Sequence, residues 1–156
     1  MVERRLHLAS TVPVAFLAVA QGFHPLVVVP LLIGTFLPEL DTVRSDLHRS
    51  WLIHTFLAPA VLYVTFVQTG VFDALPVLET VLQFVTLGMT LHFLADYVYP
   101  QRMTHQGAVW PVRPEAFSAP WGLIWLGAAW TFQWFAYLVP SFIPWLFDSM
   151  VPGVTL

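Results

Sequence analysis

His92 and Asp96, in Leu-His-Phe-Leu-Ala-Asp-Tyr, stand four residues apart in an apolar stretch. If that stretch is helical, both side chains share one face, one turn apart. A helix offers a nitrogen and an oxygen to one metal ion in this way, or uses the carboxylate to orient the imidazole. A buried His–Asp hydrogen bond that ties helices together has the same spacing, and the pair alone does not separate the two. Glu39 and Asp41, in Leu-Pro-Glu-Leu-Asp, form a second group. Proline ends the preceding apolar run, and a turning or extended backbone points alternate carboxylates the same way. That is a clamp for a divalent cation, although an isolated pair of this kind is more often a solvated loop. The third group is His48, Arg49 and His54, in His-Arg-Ser-Trp-Leu-Ile-His-Thr. His54 lies about one turn inside an apolar run, where an unpaired polar side chain is costly. It needs a partner, and His92 or Asp96 on a neighbouring antiparallel helix is near enough in depth. Arg49 suits a phosphate or an acid; with His48 it also suits an interfacial snorkelling pair.

These residues lie at the ends of long apolar runs in a chain that is 58% hydrophobic and 10% charged. Globular chains average roughly 45–50% apolar residues, so this composition reads as a membrane protein. There an ionisable group at or inside a span marks a functional site by default. The net charge of −3 includes no basic block, which disfavours nucleic acid as a partner. Without cysteine, thiolate metal sites and disulfides are excluded. Met-Val-Glu-Arg-Arg before an apolar stretch resembles a signal peptide, but no small-residue cleavage site follows, so the segment is expected to be retained.

Four apolar regions cover residues 8–37, 51–69, 75–99 and 121–147. Each is near or above the roughly 20 residues that cross a bilayer as a helix, and none alternates with period two as a strand would. The expected fold is all-α: a polytopic membrane bundle, one domain over residues 1–156, with an N-terminal helical hairpin and about three spanning helices. Gln21-Gly22-Phe23-His24-Pro25 interrupts the first region with turn chemistry. It permits either one kinked span or two arms, residues 8–20 and 25–37, each reaching about 20 Å. The hairpin is preferred because it puts Arg4, Arg5, Arg44, Arg49, Arg102 and Arg113 on one side, which the positive-inside rule makes cytoplasmic. It also brings His7 to the face that carries the other candidates and leaves His24 at the opposite end, in a structural role. His105 is undecided. The tryptophan-rich last region is expected to face lipid and interface.

Taken in order, these pieces resemble a family of LexA-binding, inner-membrane-associated metal-dependent hydrolases. The resemblance runs over roughly residues 6–111 and rests on His7, then Gly-Thr-Phe-Leu-Pro-Glu-Leu-Asp ending at Asp41. His48-Arg49-Ser50 with His54-Thr55, His92 with Asp96, and Gly-Ala-Val-Trp-Pro at residues 107–111 complete it. Glu39 stands where the family has aspartate, Ser50 where it has glycine and Thr55 where it has serine. The resemblance implies a membrane location and hydrolysis supported by a divalent metal ion.

The leading expectation is therefore a hydrolase of the inner membrane with one or two divalent ions on the cytoplasmic face. His7, Asp41, His54, His92 and Asp96 are the candidate ligands, and Glu39 is a ligand or the general base. His48 and Arg49 would bind or polarise an anionic group. The mixture of imidazole and carboxylate favours zinc, then manganese or iron. A site at headgroup depth points to membrane lipids as surroundings and to an ester or phosphoester of a lipid as substrate. Two rival readings are a membrane scaffold that binds a protein partner and a small transporter or channel subunit.

Overall fold

The computed structural model describes residues 4–43, 54–98, 103–104, 107–108 and 121–151. The fold is all-α: helices α1 (Arg4–Ala20), α2 (Val28–Phe36), α3 (Leu57–Gln68), α4 (Val71–Ala74), α5 (Val77–Val98), α6 (Trp121–Gln133) and α7 (Ile143–Met150) account for most of it. A two-residue antiparallel ladder pairs Met103 with Ala108 and Thr104 with Gly107.

The first apolar region folds as two arms. Gly22 adopts φ +92°, and the Phe23 N–H reaches the Ala18 carbonyl while the Gly22 N–H reaches Val19. This is the Schellman arrangement, in which a left-handed residue ends a helix and satisfies its last carbonyls. His24 then starts the return arm: its Nδ1 accepts the Leu26 N–H at 3.3 Å, and Pro25 sits in the first turn, where its missing N–H costs nothing. Phe23, at the tip, packs edge-on against Phe84 of α5, with centroids 5.0 Å apart, and touches Trp145 of α7.

The central element is α5, the one described helix long and apolar enough to cross a membrane, over Val77–Asp96. α2 packs along it more extensively than any other helix, and α1 packs on both. The reason is two glycines. A Cβ on Gly34 would collide with the Val85 carbonyl, and one on Gly88 would collide with the Leu31 carbonyl. Small residues let two backbones approach this closely. On another side of α5, Tyr137 donates to Gln83 Oε1 at 2.9 Å and lies 2.8 Å from the Thr86 hydroxyl. The Gln83 amide in turn donates to Ser141 Oγ at 2.8 Å. Tyr137 and Ser141 belong to a π-helical stretch, Trp134–Phe142, that joins α6 to α7 and contains Pro140.

The described helices differ in extent from the apolar runs of the sequence. Among the described residues of the second region the helix, α3, begins at Leu57 and runs for 12 residues. Its start is a corner at residues 54–56, where Thr55 Oγ1 accepts the Leu57 N–H at 3.2 Å. Among the described residues, α1, α2 and α3 are apolar helices shorter than α5. If the Gly34–Gly88 approach sets the α2–α5 distance, Gly88→Ala should destabilise the purified protein by about 1–3 kcal/mol, the usual cost of overpacking. Thermal melting in detergent measures it, with Gly127→Ala, where a Cβ meets nothing, as the neutral comparison.

Candidate metal centre

Three segments of chain deliver imidazoles to one end of α5. His7 lies in the first turns of α1, His54 at the corner before α3, and His92 on α5 itself. All three are buried, at 1%, 4% and 2% exposure. Each places Nε2 near the carboxylate of Asp96: His7 at 3.6 Å from Oδ1, His54 at 3.3 Å and His92 at 3.6 Å from Oδ2. The Asp96 side chain is itself 7% exposed. One donor atom each from His7, His92 and Asp96 lies within 4.8 Å of the others.

The local sequence explains how each group is held. His92 and Asp96 share a face of α5 through their four-residue spacing. The His7 ring stacks on the His92 ring, centroids 4.2 Å apart and 11° from parallel, so α1 is fixed against α5 at this end. Ser10 Oγ donates to the His7 carbonyl at 2.7 Å, and Thr11 Oγ1 to that of Leu8 at 2.7 Å. These hydroxyls serve the α1 carbonyls close to Pro13, which has no N–H for the helix. Phe93 forms a wall, touching His54, His92 and Phe56 with ring centroids 5.1–5.9 Å apart. His54 donates to Asp96 Oδ2 in the tautomer that carries its proton on Nε2.

Of the residues singled out by sequence, His7, His54, His92 and Asp96 are thus brought together. Glu39 is half-buried on the 3-10 turn Leu37–Val43 that follows α2. Asp41 lies on the same turn, with its side chain outside the description, and His48, Arg49 and His105 lie outside the described residues. His24 is at the hairpin tip, away from the cluster, and serves the turn. Sequence reasoning missed the Gln83–Tyr137–Thr86–Ser141 network. Its signal was present: Gln83 and Thr86 are three residues apart in an otherwise apolar helix, as Tyr137 and Ser141 are four apart in another.

Compared with known protein families, curated proteins and solved structures, the chain gives no match. What the cluster can do therefore follows from its donors. Around a metal ion at 2.0–2.1 Å, two tetrahedral ligands lie about 3.3–3.4 Å apart, close to the spacings at Asp96. Two imidazoles and one carboxylate are also a donor set that leaves coordination positions open. His7→Ala and His92→Ala should each abolish stoichiometric metal in the purified protein, whereas His24→Ala keeps it. Elemental mass spectrometry of the three variants checks this, and equal metal in all three would reduce the cluster to a packing contact.

Proposed function

We propose that this chain is a polytopic membrane protein that carries out metal-dependent hydrolysis at the membrane interface. The observation that carries the proposal is the convergence of three buried imidazoles, from three segments, on one buried carboxylate. A structural His–Asp tie needs one histidine. Three, each at ligand-to-ligand spacing, are better accounted for by a shared ion.

In this reading His7, His54, His92 and Asp96 hold the ion, with the three imidazoles arranged around the one carboxylate. A bound divalent ion lowers the pKa of its water towards neutrality and polarises the scissile bond. Zinc is the first candidate, with manganese or iron next, because the donors are nitrogen and oxygen without sulfur. Glu39 is proposed as the general base or a further ligand, and Asp41 as a further ligand. His48 and Arg49 are proposed to bind an anionic group of the substrate. The family resemblance supports the same reaction class.

The membrane reading is supported by the outside of the bundle. Phe16, Leu26 and Phe135 are 74%, 68% and 77% exposed, and Val12, Ile124, Trp125 and Trp130 are exposed as well. Large apolar side chains exposed on several helices suit a surface that faces lipid. The hairpin tip packs beside Phe84, twelve residues before Asp96, or about 18 Å along the helix. In this reading the arms enter from the site's side and turn back part-way as a re-entrant pair. The cluster lies where the apolar stretch of α5 ends, and a site at headgroup depth would suit a lipid ester or phosphoester as substrate. The arginine distribution supports a cytoplasmic site in the inner membrane.

The Gln83–Tyr137–Thr86–Ser141 network favours a second reading, a scaffold in which buried polar groups only tie helices together. Asp96→Asn separates the two. As a ligand variant it should fold and melt like the parent while metal affinity and hydrolysis fall by about 10-fold or more, the scale known for altered metal surroundings. Unchanged metal content in a folded Asp96→Asn protein would favour the scaffold. Topology has its own check: reporters fused after residue 3 and inserted at Arg102 should both report cytoplasm, and one after Leu156 the other side. Opposite locations for the first two would end the re-entrant assignment.

A further inference from the structure

α3 begins with a residue that cannot cap it. Phe56 occupies the N-cap position with no side-chain hydrogen bond, leaving the first N–H groups of the helix to find partners elsewhere. Thr55 serves instead. It is 3% exposed, and its Oγ1 accepts the Leu57 N–H at 3.2 Å, closing the short side chain-to-backbone ring that serine and threonine form two residues ahead. This ring fixes the backbone at the corner where His54 leaves the chain. From that corner the His54 ring spans 42 positions of sequence to reach Asp96 at 3.3 Å, packed against Phe93. Phe56 also packs on Phe93, at 5.1 Å, so both residues flanking Thr55 rest on one aromatic wall. His54 is therefore aimed by a hydroxyl that itself has no ligand role.

We infer that Thr55 is a positioning residue of the metal centre: its hydroxyl holds the corner that directs His54 at Asp96. This rests on the metal-binding reading and goes beyond it, because it ties affinity to a side chain with no place among the ligands. Valine is the matched probe, keeping the β-branched shape and losing the hydroxyl, donor and acceptor together, while serine keeps the hydroxyl. Full-length protein in detergent is stripped of metal and titrated with Zn²⁺ against a chromophoric chelator, in the parent, Thr55→Val and Thr55→Ser. The expected result is a roughly 10-fold weaker affinity in Thr55→Val, the lower end of the range for residues that orient ligands, and parental affinity in Thr55→Ser. A parent that binds no metal would overturn the metal centre and this inference with it. A parent that binds, with Thr55→Val binding equally well, would overturn the inference alone. Should Thr55→Val not fold, Thr55→Ser decides: a folded serine variant that loses affinity shows that the methyl group, not the hydroxyl, holds the corner, and overturns the assignment.

Discussion

The contact of α2 with α5 through Gly34 and Gly88 governs the rest of the molecule. With no Cβ between them, the two backbones touch, and helix–helix distance is set by main chain rather than by adaptable side chains. α1 is bound to α2 by the Gly22 turn, so fixing α2 also fixes the height of α1. His7 consequently arrives level with His92, whose ring it stacks on. A looser crossing would leave the same residues in the sequence and no cluster in space.

α5 carries polar groups in two directions. From Thr86 to His92 the helix turns by about 240°, so the two residues point in directions about 120° apart. The first is closed: hydroxyls and amides meet one another at 2.8–2.9 Å and satisfy the cost of burial internally. The second is looser, with separations of 3.3–3.6 Å around a single carboxylate. Within one bundle, then, the two buried polar groups differ in spacing, and the looser one is the group whose donors could hold an ion.

The helical class was legible because long apolar runs leave strand no periodicity to use. The His92–Asp96 pair was legible because four residues bring side chains together in any helix. His7 became legible only through Gln21–Pro25, whose turn chemistry folds the first run back on itself. His54 followed from the cost of leaving an imidazole unpaired in an apolar run. Other features had no local signal. The start of α3 at Leu57 depends on a corner stabilised from α5 by Phe93, and hydropathy reads straight through it. The π-helical stretch and its bonds to Gln83 and Thr86 arise from packing between segments some fifty residues apart, where each side alone is one polar residue among many apolar ones. Gly34 and Gly88 look, in sequence, like ordinary helix-weakening glycines.

If the chain folds in a membrane as proposed, the three imidazoles also impose an order on biogenesis. The chain is made from its N-terminus, so His7 and His54 leave the ribosome before Asp96 exists. Until α5 follows, the hairpin and α3 each carry a polar ring that apolar surroundings penalise, and neither has its final partner. In that setting those early segments would be discouraged from settling on their own. The arrival of α5 removes the penalty from both in one step, so a polar cluster that weakens every fragment makes the completed bundle the favoured one.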